Sequence, residues 1–158
     1  MNSGLKGFAV HVSEIDLASG ASLTPPRVIR KSPSGVAEGS HIIKRGQYYY
    51  LFVAEGGTES GHSELVFRSS EGPFGPWEAG PNNPLLSSST QDDVQNTGHS
   101  DVVEDVEGNW WAVCLAVRPH RMKTETGEKT FLPSPMGKLR GYLVWYRSLI
   151  VRQAVRPS

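Results

Sequence analysis

The chain is poor in the features that most often fix a protein's class at first reading. It has one cysteine, Cys114, so no internal disulfide can form, and the apolar residues around it suit a small buried hydrophobe. No apolar stretch approaches the ~20 residues of a spanning helix. Residues 1–30 lack the charged start, apolar stretch and small-residue cleavage site of a secretory signal. Neither charge is in excess, with Lys plus Arg and Asp plus Glu at 16 each. This balance argues against a nucleic-acid polyanion or an anionic membrane as partner and for a neutral one. At 158 residues the chain is long enough for one cored domain and short for two. Helical periodicity is missing as well.

Turn chemistry is plentiful. The 17 glycines and 11 prolines are spread along the whole length, which implies many short elements. The apolar stretches between them are rich in Val, Ile, Tyr, Phe and Trp, the signature of strands. The fold is therefore read as all-β. Strands are predicted over Phe8–Ser13, Arg27–Arg30, His41–Lys44, Tyr48–Ala54, Ser63–Ser69, Asp101–Glu104, Trp110–Val117 and Tyr142–Val151. The segments Gly72–Pro84 and Ser87–Asn96 read as connections.

An internal repeat organises these strands. Ser40-His41-Ile42-Ile43, followed by Gly46, Tyr48, Tyr49, Leu51, Val53 and Ala54, aligns with Ser100-Asp101-Val102-Val103, followed by Gly108, Trp110, Trp111, Val113, Leu115 and Ala116. The offset is 60 positions before the turn and 62 after it, because the second turn is two residues longer. Each copy is a strand, a turn with Gly, and a nearly continuous apolar strand led by two aromatics. A strand apolar on both faces must be covered on both, as when sheets stack around an axis. Two such repeats fit propeller blades, or a β-sandwich whose central strands resemble each other.

Candidate chemistry gathers at the start of each copy. Ala37-Glu38-Gly39-Ser40-His41 places a carboxyl just before the first inner strand, where it can hold a proton for a leaving group or be a plain surface glutamate. Thr97-Gly98-His99-Ser100-Asp101 occupies the equivalent place, so rotation about an axis would turn His99 and Glu38 to one channel. His99 suits a hydrogen bond to a sugar, or an ion held mostly by water, while five scattered histidines make no zinc site. The loop Ala54–Ser63, with Glu55, Thr58, Glu59 and His62, is dense in polar groups and glycine but lacks the lysine and helix of a phosphate loop. Tyr48-Tyr49 and Trp110-Trp111 could stack on sugar rings, though alternation favours core packing for one member of each pair.

Taken together, the segments EIDLASG (Glu14 to Gly20), AEGSHIIKRGQYYYLFVAEGGTESGHSELVFRSS (Ala37 to Ser70), GPFGPWEAGPNNPLL (Gly72 to Leu86) and VQNTGHSDVVEDVEGNWWAVCLAVRP (Val94 to Pro119) resemble glycoside hydrolase family 43, in particular its β-xylosidases and α-L-arabinofuranosidases. The resemblance covers roughly two thirds of the chain. It implies a five-bladed β-propeller, present here as an incomplete propeller of about two to three blades. A partial catalytic domain would span residues 1–132, followed by a divergent basic tail over 133–158.

The resemblance also assigns roles. Glu38 matches the Glu of the family's EG-x-H motif, the general acid of an inverting hydrolysis of O-glycosyl bonds. An Asp on another blade activates water from the opposite face, with the inverting carboxyls about 6.5–9.5 Å apart. A third carboxylate tunes the acid. Thr58 and His99 match positions lining the family's sugar pocket, and His99 also matches a histidine near a central ion, often calcium, in some relatives. No cofactor is required, and the implied partner is a xylo- or arabino-oligosaccharide.

Departures qualify this picture. The base and the tuning Asp belong to blades that precede the EG-x-H motif, whereas only 37 residues precede Glu38 here and Asp16 falls in a hairpin turn. Where the family usually has Gly-Arg-Glu-Thr-Phe-Leu, this chain reads Gly127-Glu128-Lys129-Thr130-Phe131-Leu132, a glutamate in place of the cation. From Lys129 onward there are six basic residues (Lys129, Lys138, Arg140, Arg147, Arg152, Arg156) and no acidic one, an abrupt change of composition such as a frame shift or unspliced intron would produce. The expectations are therefore a hydrolase fragment with little activity alone, a non-catalytic carbohydrate-binding β-module, or an inactive truncated product. Open sheet edges would make the isolated chain prone to self-association.

Overall fold

The computed structural model describes residues 8–117, 121–123, 129–131 and 144–146, and every regular element among them is a β-strand. β1 (Ala9–Val12) and β2 (Arg27–Lys31) form an antiparallel pair. Their connection turns at Asp16, whose carboxylate accepts hydrogen bonds from the Ala18 N–H at 3.0 Å and the Ser19 hydroxyl at 2.6 Å. Those bonds, the Ser19 hydroxyl foremost, hold the Asp16 carboxyl below its ordinary range. Asp16 is thus a turn residue, as the sequence suggested.

The largest sheet runs β3 (Ala37–Arg45), β4 (Tyr48–Glu55), β5 (Ser63–Ser69) and β6 (Glu78–Ala79), with β7 (Leu86–Ser87) also paired to β5. A second sheet follows the same plan, with β8 (Gln95–Glu104) beside β9 (Trp110–Val117). A hairpin of β10 (Arg121–Lys123) and β11 (Lys129–Phe131) comes next, and β12 (Val144–Tyr146) pairs with the far side of β9. β12 lies within both the predicted strand Tyr142–Val151 and the expected basic tail. Glu128 and the rest of that tail lie outside the described residues.

Burial explains why β4 is central. Residues 51–55 are buried without interruption, which requires cover on both faces, and β3 and β5 supply the edges. Leu51 and Val53 pack with Ala37 and Phe67, and Val10, Ile29, Ile42, Leu65 and Trp77 close around them. Side chains of this kind contribute roughly 1.5–3 kcal/mol each when fully buried. The core also contains an ion pair. Glu55 accepts from Arg30 Nε at 2.7 Å and from the Ser32 hydroxyl at 2.5 Å, while the Arg30 guanidinium lies 4.5 Å from the Phe67 ring centre. It ties β2 to the large sheet. Phe8, Ile15, Leu17, Leu23 and Val28, all in the first hairpin region, remain exposed. Cys114 is buried, and burial pushes its thiol up, in keeping with a core role.

The structure extends the sequence reading in three places. β3 begins four residues earlier than predicted and β8 six, so Glu38 and His99 lie inside strands rather than ahead of them. β6 falls inside the first predicted connection and β7 at the edge of the second, two residues each, and their strand character comes from pairing with β5 rather than from local sequence.

Candidate active site

Both early strand starts are made by the same device. In β3, Glu38 pairs with Ala54 and His41 with Phe52, so three steps on one strand oppose two on its partner. In β8, Gly98 pairs with Leu115 and Asp101 with Val113, the same bulge 60 positions later. A bulge of this kind needs a residue in the left-handed region, filled by Gly39 at φ 57° in β3 and by His99 at φ 52° in β8. β8 carries a second irregularity between Gln95 and Gly98, with Asn96 also left-handed at φ 52°.

The two bulges meet through an imidazole. β8 packs against β3, β4 and β5, and the His99 ring lies so close on Gly39 that a Cβ there would overlap its Cδ2 and Nε2 atoms. That contact sets His99 next to Glu38. Glu38 is half-buried, and its carboxyl accepts no hydrogen bond from a described residue. One residue beyond each bulge, His41 Nδ1 stands 3.8 Å from Asp101 Oδ1, again joining equivalent positions of the repeat.

A second imidazole completes the group. His62 is buried against Gly98, where a Cβ would lie 2.7 Å from its Cδ2 and Nε2. Its Nδ1–H donates to the Asn96 carbonyl at 2.9 Å, which fixes the tautomer because a carbonyl only accepts. Burial, the largest influence, pulls His62 below the ordinary histidine range, with the Asn96 bond opposing. The charges of His99 and Glu38 also act on it, in opposite directions, which places all three side chains in one electrostatic cluster. Thr58 is exposed, and its carbonyl accepts from Asn96 Nδ2 at 3.3 Å, tying the polar loop to β8 three residues before His99.

Glu64 lies beneath this cluster. It is fully buried, and Oε2 accepts the Ser100 N–H at 2.8 Å while Oε1 has no partner. Burial raises its carboxyl to about 7 against the pull of the Ser100 N–H. The Ser100 hydroxyl and the His99 N–H face it as well and favour the charged form, though the hydroxyl completes no well-formed hydrogen bond.

The structure thus lays the His99 ring on Gly39, the residue after Glu38, and ties the Thr58 loop to the same strand as His99. Sequence reasoning passed over the roles of His62 and Glu64. The local sequence offered no signal for either, because Ser63-Glu64-Leu65-Val66-Phe67-Arg68-Ser69 reads as an ordinary strand whose charged residues face water. Among the described residues no three His, Cys, Asp or Glu side chains converge where they would hold a metal ion.

A stack of antiparallel sheets, with a carboxyl and two imidazoles gathered near the starts of β3, β5 and β8, defines a β-scaffold with a polar cluster at the strand starts. The chain belongs to glycosyl hydrolases family 43, whose sequence profile matches residues 9–135. It is 45% identical over 111 residues to the non-reducing end alpha-L-arabinofuranosidase BoGH43B of Bacteroides ovatus, covering 66% of this chain and 21% of that one. To a xylosidase/arabinosidase of Butyrivibrio fibrisolvens it is 38% identical over 131 residues, 79% of this chain and 25% of the relative. The fold superposes on the crystal structure of a xylan beta-1,4-xylosidase from Bacillus halodurans with a TM-score of 0.66 at 31% identity, over 82% of this chain and 28% of the other. The solved relatives are five-bladed β-propellers, and the chain is a part of that fold. It spans about a fifth to a quarter of the length of these curated relatives.

Proposed function

We propose that the chain carries the acid-bearing blades of an inverting glycoside hydrolase acting on xylo- or arabino-oligosaccharides. Glu38 is the general acid, and Thr58 and His99 contact the sugar. One observation carries the reading: the His99 imidazole of the neighbouring sheet lies on Gly39, the residue after half-buried Glu38, and the charges of both Glu38 and His99 reach the same buried His62. A carboxyl so placed can protonate a glycosidic oxygen as the bond breaks, while water activated by a second carboxylate attacks from the other face. His99 can hydrogen-bond a sugar hydroxyl and so orient the ring. The substrate class rests on the names of the relatives, which are xylosidases and arabinofuranosidases.

The test transplants residues 9–117 into the 45%-identical Bacteroides ovatus enzyme in place of its matching segment. The chimera should hydrolyse an aryl arabinofuranoside or xyloside. Glu38→Gln should lower kcat/KM on a substrate with a poor leaving group by roughly 10²–10⁴-fold. Full activity in that variant would refute the assignment. Sugar binding by the chimera without hydrolysis would favour a binding module instead.

A further inference from the structure

The two copies of the bulge are not equally easy to make. In β3 the left-handed position is a glycine, which adopts it without strain, whereas in β8 it is His99, a residue with a Cβ. A side chain held in that region persists only where its surroundings over-determine it. The support for His99 comes from β5. Two polar side chains at the start of that strand, His62 and Glu64, are both buried, and they hold β8 at left-handed Asn96 and at Ser100, the neighbour of left-handed His99. The His62 ring holds Asn96 through its carbonyl at 2.9 Å. Glu64 Oε2 takes the N–H of Ser100, the residue after His99, at 2.8 Å.

The carboxyl of Glu64 has no other visible task among the described residues. It pairs with no cation there, and its second oxygen has no hydrogen-bond partner. Burying such a group is costly unless the bond it makes is needed. The N–H it accepts sits inside the bulge, between the paired positions Gly98 and Asp101.

We propose that Glu64 is a positioning residue: by accepting the Ser100 N–H it holds the β8 bulge in the left-handed form that lays the His99 ring on Gly39, beside Glu38. The functional meaning of that placement rests on the reading of Glu38 as the acid, but the placement itself does not. Glu64 acts through the backbone of β8 and touches no substrate. What the role requires is an acceptor of the right reach, rather than a charge.

The test is made on the isotope-labelled, full 158-residue chain by the nuclear Overhauser contact between the His99 ring and the Gly39 Hα protons. The His62–Gly98 contact serves as the internal control of folding. The wild type and Glu64→Gln, which keeps an acceptor at the same reach, should both show the His99–Gly39 contact. Glu64→Asp, which keeps the charge but is one methylene shorter, and Glu64→Leu, which has no acceptor, should lose it while retaining His62–Gly98. Retention of the contact in the Asp and Leu variants, or its loss in the Gln variant, overturns the proposal. Should the variants lose both contacts by unfolding, amide exchange in the wild type decides. The Ser100 N–H should exchange at least about tenfold more slowly than the exposed turn amide of Val106, and equal rates contradict the role. Because none of these readouts needs hydrolysis, failure of the chimera assay and failure of this proposal are separate results.

Discussion

Strands β3 and β8 are two editions of one backbone. Each opens with a bulge in which three steps face two, each places a left-handed residue at the same point, and each runs on to a turn and a long apolar strand. They differ in which chemistry occupies the bulge. The first reads Glu38-Gly39 and the second Gly98-His99, so each glycine falls where the other copy has a titratable side chain. Each glycine is also the floor under an imidazole, Gly39 under His99 and Gly98 under His62. The repeat thus supplies the geometry twice, and swapping two residues turns duplication into a complementary pair. The second copy bears the extra cost of a non-glycine left-handed residue and leans on a buried carboxyl that supports it.

That contrast can be broken by pH first. Glu64 titrates near 7 in the folded chain against 4.5 for an ordinary glutamate, so the native state keeps a proton that the unfolded chain releases. The contribution of Glu64, at most about 3 kcal/mol, should be full below about pH 4.5 and be lost as pH rises through about 7, while His62, held below its ordinary range, opposes it by losing stability as pH falls below 6.5. Denaturant titrations of the chain at pH 4.5, 6 and 8 measure the slope. Glu64→Gln should flatten it, and a slope that survives would assign it to another group.

Substituting the two glycines sharpens the comparison further. Gly98→Ala forces a methyl group against the buried His62 ring, which its bond to Asn96 keeps from retreating, and should cost about 2 kcal/mol. Gly39→Ala strains a left-handed position and displaces the less buried His99 ring, for about 1 kcal/mol. Its larger consequence should fall on activity in the chimera, so the ranking by stability and by rate should be opposite. Urea unfolding and kcat/KM on the same pair of variants test that inversion.

The smallest effect concerns the turns, where the copies differ in length. In the longer second turn the Asp105 carboxylate accepts from Trp111 Nε1 at 2.6 Å and from the N–H groups of Glu107 and Asn109 at 2.9 and 2.8 Å. The Trp111 bond foremost, these hold Asp105 at about 2. Its stabilising effect is therefore present above pH 3.8 and fades as pH falls through about 2. Asp105→Ala should speed amide exchange at Glu107 and Asn109 without touching the Gly39–His99 contact.

Much of this architecture was legible in the sequence, and the illegible part has physical causes. β4, β5 and β9 announce themselves because aromatic and β-branched residues fill a buried sheet, and the 60-position offset already set Glu38 and His99 in equivalent places. The bulges were not legible. Glu38-Gly39-Ser40 and Gly98-His99-Ser100 look like the polar, glycine-containing run-up to a strand, and only pairing with β4 and β9 draws them into the ladder. β6 and β7 escape notice for the same reason. Glu64 was hidden differently. One charged residue in a strand is ordinarily turned to water, and its burial follows from β8 lying across it, a tertiary fact with no local trace.

The proposed role of Glu38, donation of a proton to the departing sugar oxygen, makes the rate depend on the leaving group. In the chimera, Glu38→Gln should be severely slowed on a glycoside whose leaving group needs protonation, and nearly as fast as the parent on one whose leaving group departs unaided. Equal slowing on both substrates would show that Glu38 serves binding or folding and not proton transfer, and would contradict the account.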